Sequence, residues 1–253
     1  MNTDRLKHLT HLKYLNLHSD IVDQYYVAQD GQIGILLSYR TDAVSWDQSL
    51  YPDSYAVLLP TASDQDCAEQ VFDYVRENLL IGKPLVIKFC DRLTKSVFLQ
   101  HMPLRYADAY LSYTAGDNVV FDLPDQVVIT TQLTDSCATL YMANGYDRKA
   151  LETYFAQGAI SFVINEGASP VATCMAYHNF DTIWEIAGVR TIDSARQKGY
   201  GRLVVQAALH TLLKQGKAPR YIVSANNLPS IRLAERLGLR QCLSFEHFVY
   251  QPT

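Results

Sequence analysis

Apolar runs of strand length alternate with amphipathic helices through the second half of the chain, and this order restricts the fold more than any other feature. Strands are predicted at 127–133, 160–165, 171–177, 182–191, 221–225 and 243–250, and helices at 147–157, 201–214 and 229–237. Such an alternation predicts an α/β or α+β fold, with a mixed β-sheet flanked by helices.

The first half follows the same order. Strands are predicted at 25–28, 33–39, 55–59 (ended by Pro60), 85–89 and 104–114, a helix at 67–80, and an opening helix from Leu6, Leu9, Leu12 and Leu15. A Gly-Lys-Pro exit from a helix occurs at Gly82-Lys83-Pro84 and recurs, with one inserted residue, at Gly216-Lys217-Ala218-Pro219. We therefore expect two similar units, 1–118 and 119–253, while an unrelated α/β domain in the first half stays open as an alternative.

Charge and cysteine content exclude several classes of protein. The 253 residues carry a formal net charge of −4, so the overall field does not attract nucleic acid or an anionic membrane. The five cysteines are widely spaced without a C-x-x-C pair, and His8 and His11 have no third ligand nearby, so neither a disulfide framework nor a metal site is expected. The start of the chain does not resemble a signal peptide. We expect a cytoplasmic protein without a metal, and its oligomeric state stays open.

A glycine-containing loop, Arg196-Gln197-Lys198-Gly199-Tyr200-Gly201, separates a predicted strand from a predicted long helix. Glycines two residues apart at a helix start allow a sharp turn and present several backbone N–H groups, which favour a phosphate. No third glycine completes a dinucleotide fingerprint, and no G-K-[ST] completes a triphosphate loop. A pyrophosphate is the expected ligand, and an ordinary capped helix is the alternative.

The wider sequence around this loop resembles the GNAT superfamily of acyl-CoA-dependent N-acyltransferases. The resemblance rests on Trp184-Glu185-Ile186-Ala187-Gly188-Val189-Arg190-Thr191, the R-x-x-G-x-G loop, Tyr221 to Asn227, and Ser230-x-x-Leu233-Ala234-x-x-Leu237-Gly238. It is specific over 182–240, extends over 119–253, and implies a splayed β-sheet and acetyl-CoA as cosubstrate. The implied cofactor-binding residues are Val189, Arg190, Thr191, Arg196, Gln197, Lys198, Gly199, Tyr200, Gly201, Arg202, Asn227 and Ser230.

The first half resembles the same fold without its phosphate site. The segment that leads into its helix has no glycine and carries Asp64 and Asp66, whose carboxylates would repel an anion.

Acyl transfer to an amine requires removal of a proton from the amine. By resemblance, Glu185 is the general base, and an exposed or salt-bridged carboxylate is the alternative. Strand alternation predicts Glu185, Ala187 and Val189 on one face. A tyrosine that protonates coenzyme A in many relatives is replaced by Ala234, so the general acid is open, with Ser224 and Cys242 as candidates by neighbourhood.

These features predict an N-acetyltransferase that moves an acetyl group from acetyl-CoA directly to a primary amine. The acceptor is expected to be a small molecule or a peptide, without nucleic-acid or membrane partners. Two alternatives stay open: a noncatalytic acyl-CoA-binding or interaction module, and a tandem-GNAT transferase with an aminoacyl or peptidyl acceptor.

Overall fold

The computed structural model describes residues 13, 19–79, 82–116 and 119–252. The described residues fall into two compact units, one within Met1–Leu111 and Leu243–Thr253, the other within Ser112–Cys242. A domain boundary at 118/119 stays a prediction. The predicted opening helix, including all four of its leucines and both histidines, lies outside the described residues.

Unit 1 combines antiparallel and parallel strands in one sheet. Its strands are β1 (Asp23–Gln29), β2 (Gln32–Arg40), β3 (Ala56–Ala62), β4 (Leu85–Phe89) and the greater part of β5 (Arg105–Thr114) and β11 (Arg240–Tyr250), which each have three residues in unit 2. Its helices are α1 (Ser45–Leu50), α2 (Gln65–Asn78) and α3 (Arg92–His101). The strand order is β1-β2-β3-β4-β11-β5. The β1/β2, β2/β3 and β4/β11 pairs are antiparallel, and β3/β4 is parallel.

Alternation along the strands of unit 1 gives two buried faces. One face packs Leu58 and Ile87 against Val71 of α2 and Phe98 of α3. The opposite face is apolar at its centre but also buries Lys88, whose Nζ lies 2.5 Å from Asp47 Oδ1. Burying this charged pair is tolerable because the Tyr39 hydroxyl donates to the second Asp47 oxygen at 2.5 Å.

Unit 2 also combines parallel and antiparallel strands. Its strands are β6 (Val128–Thr130), β7 (Ile160–Glu166), β8 (Ser169–Phe180), β9 (Ile183–Thr191) and β10 (Ala218–Ser224), and its helices are α4 (Asp135–Met142), α5 (Arg148–Ala156), α6 (Tyr200–Lys214) and α7 (Leu228–Arg236). The strand order is β10-β9-β8-β7-β6, with β9/β10 parallel and the other pairs antiparallel.

Helix α6 packs on one face of β7, β8 and β9, and α4 contacts β8 and β9. The thiol of Cys174 on β8 donates to the Val204 carbonyl of α6, whereas Thr173, the preceding residue, bonds to Tyr141 of α4. Because consecutive strand residues point to opposite faces, α4 and α6 lie on opposite sides of the sheet.

The structure confirms the predicted fold class and corrects several element boundaries. Pro60 lies inside β3 and does not end it, and β6 spans three residues instead of the predicted 127–133. Helices α1, α3 and α4 were not predicted. Each is short, and their apolar periodicity covers too few turns to separate a helix from a loop. In the described part of the chain, no helix is long and apolar enough to cross a membrane.

Candidate active site

A β-bulge interrupts β9 next to β8. Thr173 pairs with Arg190 but Met175 pairs with Ala187, so β9 contains one extra residue between these pairs. Gly188 lies in the bulge and has a positive φ of 62°. A Cβ at this position would lie 2.9 Å from the Tyr141 ring. The bulge corrects the predicted alternation, because the register places Arg190, not Val189, on the face that Glu185 and Ala187 share.

Strands β9 and β10 pair only over their first residues. The parallel register joins Ile183–Ile186 to Ala218–Tyr221. Strand β9 then continues through the bulge to Thr191, and β10 continues to Ser224. Beyond the paired residues, β9 can offer backbone groups to a ligand on the side that faces β10 while its other side pairs with β8.

The loop before α6 has the backbone geometry of an anion site. Gln197 and Gly199 have φ values of 67° and 79°, in the left-handed region. Gly199 caps α6 without a side-chain hydrogen bond, and a Cβ there would meet no atom within 4 Å. A Cβ at Gly201 would lie 3.5 Å from Thr191 Oγ1, the ordinary contact distance. Gly199 therefore offers the first N–H groups of α6 no side-chain acceptor, and the helix dipole favours an anion at this end.

Charged side chains surround this loop. Arg196 pairs with Asp193 at 2.8 Å. Lys198 pairs with Glu166 at 2.7 Å, and the Tyr200 hydroxyl donates to the same carboxylate at 3.0 Å. The hydrogen bond from Lys198 holds the pKa of Glu166 below its ordinary value, so the carboxylate is charged at neutral pH. Arg202 is exposed in the first turn of α6.

Glu185 lies on β9, three residues before the bulge, and is only 6% exposed. The Tyr177 hydroxyl of β8 donates to Glu185 Oε1 at 2.7 Å, as the paired register of these two residues permits. Tyr154 of α5 stacks on Tyr177 with ring centroids 4.4 Å apart. Burial raises the pKa of Tyr177 well above its ordinary value, and the Glu185 charge adds to this effect, so Tyr177 stays a proton donor to the carboxylate.

Tyr141 fixes α4 against the sheet through a buried network that the sequence analysis missed. Its hydroxyl accepts from Thr173 Oγ1 at 2.7 Å and donates to the Cys174 carbonyl at 2.9 Å, and it lies 2.5 Å from Ser161 Oγ. The network explains why α4 forms at a site with little apolar periodicity: the ring packs on Gly188 while its polar end is satisfied.

Tyr146, in the turn between α4 and α5, was also not predicted from the sequence as a site residue. Burial raises its pKa, and the nearby Glu185 charge raises it further, while a hydrogen bond with the Gly188 backbone acts in the opposite sense. The sequence did contain a signal, since Tyr141, Tyr146 and Tyr154 lie within one short segment.

The remaining predicted residues occupy varied positions. The Asn227 side chain caps α7 by accepting from Ser230 N–H at 3.2 Å, and the Ser230 side chain hydrogen bonds to Tyr221. Arg190 Nη1 donates to the Ala143 carbonyl at the end of α4, at 2.9 Å. Ala234 is fully buried on α7.

The two candidate proton donors named from the sequence have structural partners. Ser224 Oγ accepts from Asn226 N–H at 3.3 Å. The Cys242 thiol donates to the Ser112 carbonyl at 3.3 Å, and burial raises its pKa. Neither arrangement singles out a general acid.

Comparison with known proteins identifies the bulge, the separated strands and the open loop as parts of one domain. Residues 131–239 match the family model described as Acetyltransferase (GNAT) family. This segment is a GNAT acetyltransferase domain. The resemblance found in the sequence is thereby confirmed, and the chain carries a transferase domain whose family performs acyl transfer.

Solved structures extend the similarity in fold beyond the GNAT domain. An acetyltransferase from the GNAT family of Colwellia psychrerythraea has a TM-score of 0.66 and 10% identity, covering 98% of this chain and 94% of the other. A GCN5-related N-acetyltransferase from Kribbella flavida has a TM-score of 0.63 and 17% identity, covering 98% and 95%. A tandem GNAT protein from the clavulanic acid biosynthesis pathway has a TM-score of 0.62 and 12% identity, covering 97% and 88%. No curated protein matches the chain significantly.

Metal ligands do not cluster in the described part of the chain. No group of three or more His, Cys, Asp or Glu residues that could hold a metal ion occurs there.

Proposed function

We propose that the protein transfers an acetyl group from acetyl-CoA directly to a primary amine, with Glu185 as general base. The observation that carries this proposal is the placement of a buried, hydrogen-bonded carboxylate on β9, three residues before the bulge and next to the last residue that pairs with β10. The family match supports acyl transfer, and the open loop supports coenzyme A as the carrier.

The cofactor cradle consists of two parts. Backbone groups of Val189, Arg190 and Thr191 hydrogen bond to the pantetheine arm along the unpaired side of β9. The pyrophosphate accepts hydrogen bonds from the loop, with Arg196, Gln197, Lys198, Gly199, Tyr200, Gly201 and Arg202 contributing, and Asn227 and Ser230 lie at the start of α7. The open space above Gly199 and the uncapped start of α6 fit this assignment.

Glu185 removes the proton that the amine must lose. The amine nitrogen forms a bond to the thioester carbonyl carbon, the C–S bond breaks, and the amine proton passes to Glu185 directly or through one water. Tyr177 holds the carboxylate in position through its hydrogen bond. The reaction needs no metal and no covalent enzyme intermediate.

The acceptor is a small molecule or a peptide amine, bound on the face of unit 2 that α4 and α5 cover. Tyr154 and Tyr177 form a stacked aromatic wall beside the carboxylate on this face. The five cysteines are free thiols, which supports a cytoplasmic location.

A coenzyme A binding titration, followed by measurement of thiol release from acetyl-CoA over a panel of primary amines, tests the proposal. We expect coenzyme A to bind and at least one amine to accelerate thiol release above hydrolysis. Binding without amine-dependent release over the panel would instead support a noncatalytic acyl-CoA-binding module. Absence of binding would refute the proposed function.

A further inference from the structure

Arg220 is a second charged side chain that unit 2 buries beside the proposed general base. It lies on β10, it is 2% exposed, and its partner in the parallel register of β9 and β10 is Glu185. Neighbouring strands of a sheet lie about 4.8 Å apart, and register partners carry their side chains on the same face. The guanidinium of Arg220 and the carboxylate of Glu185 are therefore buried on one face, from adjacent positions of two neighbouring strands.

Hydrogen bonds fix the direction in which the Arg220 side chain extends. Its Nε donates to Ser112 Oγ at 3.0 Å, and its Nη1 donates to Asn179 Oδ1 at 3.4 Å. Asn179 belongs to β8, and the strand order is β10-β9-β8, so the side chains of Arg220 and Asn179 meet over β9. Because β9 is the strand that carries Glu185, the positive charge lies beside the carboxylate.

A buried carboxylate needs such a charge in order to act as a base. Burial by itself favours the protonated form, and a protonated carboxylic acid cannot take a proton from an amine. A nearby positive charge favours the ionised form, and an arginine stays charged at every pH at which a protein is folded. Arg220 therefore offsets the effect of burial on Glu185, and Glu185 in turn balances a guanidinium that is itself almost fully buried.

The other ionisable groups around the pair do not bring a positive charge to Glu185. Burial raises the pKa of Tyr146, Tyr177 and Cys242, so these groups are neutral near neutral pH. Arg220 and the exposed Arg240 act on the Cys242 thiol in the opposite sense to burial. The ionisable groups that face the pair are Tyr177 on β8, Tyr154 on α5, Tyr146 in the α4–α5 turn, and Cys242 and Arg240 on β11.

We propose that Arg220 is the positioning residue of the general base, because its buried charge keeps Glu185 ionised and able to take the amine proton at neutral pH. Arg220 acts through Glu185 and not on the reacting atoms. After the amine proton has moved to Glu185, Arg220 favours its release to solvent, which restores the carboxylate for the next turnover. The inference rests on the proposed function, since Arg220 has this role only if Glu185 takes a proton.

The test is the pH at which kcat/KM falls on the acidic side of the pH profile, measured as thiol release with one primary amine. Arg220→Gln removes the charge and keeps hydrogen-bonding groups. Loss of the neighbouring charge should move this acid limb upward by about 1 to 3 pH units, so activity below the limb falls about tenfold for each unit. The deficit should shrink as the pH rises. The amine itself ionises identically in every variant, so a difference between the profiles reports on the protein.

Two further variants separate the charge of Arg220 from its hydrogen bonds. Arg220→Lys keeps a positive charge, and Ser112→Ala removes only the acceptor of the Arg220 Nε–H. Both should leave the acid limb close to its position in the parent. An unmoved limb in Arg220→Gln would overturn the proposal and leave a structural ion pair. An upward shift in Ser112→Ala equal to that in Arg220→Gln would also overturn it, because the hydrogen bonds rather than the charge would then matter.

A fourth variant covers a folding failure of Arg220→Gln. Incorporation of citrulline at position 220 keeps the shape of the side chain and removes its charge, so the acid limb should again move upward, and an unmoved limb would contradict the role. If the parent shows no amine-dependent thiol release, the proposed function fails and this inference fails with it. If the parent turns over and neither neutral variant moves the limb, only the role of Arg220 fails.

Discussion

Both units connect one strand of a parallel pair to a helix, but the two connections carry opposite chemistry. In unit 2, β9 enters α6 through a glycine loop, and Gly199 caps the helix without a side chain. In unit 1, β3 enters α2 through Asp64, whose carboxylate accepts from Cys67 N–H at 2.9 Å. The start of α2 therefore already holds a carboxylate of its own, whereas the start of α6 is left open to an external anion.

The strands that precede these two helices also differ, because only the strand of unit 2 contains a bulge. The β2/β3 register runs without a shift from Gly34 with Ala62 to Arg40 with Ala56, while β9 contains the bulge at Gly188. Past the β3/β4 pairing, Thr61 Oγ1 donates to Asp91 Oδ2 at 3.1 Å and joins the two strand ends. In unit 1, side chains of the protein itself thus occupy the start of α2 and join the ends of the two parallel strands.

Gly201→Leu tests whether the glycine loop binds coenzyme A, and it should have the largest effect on affinity. A bulky side chain would cover the first N–H groups of α6, and losing two charge-assisted hydrogen bonds of about 2 kcal/mol each weakens coenzyme A binding about 1,000-fold. Isothermal titration measures this. Gln65→Leu, in the first turn of α2, is the matched change in unit 1 and should not affect binding. Equal affinity of Gly201→Leu and the parent would show that coenzyme A does not use this loop.

Glu185→Gln separates the catalytic role of unit 2 from its binding role. The amide keeps the shape but cannot take a proton, so turnover should fall about 100-fold with little change in coenzyme A affinity. Raising the pH should partly restore turnover, because a larger share of an amine with a pKa near 10.4 is then already deprotonated. Steady-state rates across pH provide the measurement. Glu152→Gln, an exposed carboxylate of α5, is the control, and a parent-like rate for Glu185→Gln would rule out the base assignment.

Asp64→Ala asks whether the side-chain cap stabilises the start of α2. Loss of the cap should lower the free energy of unfolding by about 1 kcal/mol, measured by urea denaturation. Asp64→Asn keeps a capping oxygen while removing the charge, so it should stay near the parent. Equal destabilisation of both variants would contradict this expectation and show that the negative charge, rather than the capping oxygen, stabilises the start of α2.

Glu166→Gln should produce the smallest effect, a slightly tighter binding of coenzyme A. The Glu166 carboxylate holds Lys198 and Tyr200 beside the loop and carries a negative charge where the pyrophosphate is proposed to bind. Its neutralisation should raise coenzyme A affinity about threefold, as expected for an exposed ion pair. The gain should shrink at high salt. Weaker binding of coenzyme A by the variant would mean that Glu166 instead helps by holding Lys198 in position for the pyrophosphate.

The sequence predicted the elements whose signals are local. The glycine loop, the long α6 and the capping of α7 by Asn227 follow from residue types at adjacent positions. The repeated helix exit is equally local, and Gly82 and Gly216 indeed share left-handed φ values of 67° and 69°. Of the site, the sequence predicts Glu185 and the glycine loop, and their roles stay predictions.

The sequence could not predict contacts that depend on distant chain segments. The bulge at Gly188 exists because the Tyr141 ring occupies the space that a side chain there would fill, and α4 is held by hydroxyls from β7 and β8. The burial of Lys88 with Asp47 depends in the same way on a short helix that sequence periodicity does not reveal.

The sequence by itself determined that this chain forms a mixed sheet with a glycine loop before the long helix of its second half, because glycine positions and apolar periodicity act through neighbouring residues. Only the tertiary structure decided what faces the loop and the bulge. Tyr146 and Tyr177 approach Glu185 from the α4–α5 turn and from β8, and Arg190 instead of Val189 shares its face. Side chains from separate segments meet only after the sheet has formed, and one extra residue in a strand reverses which of them point toward the site.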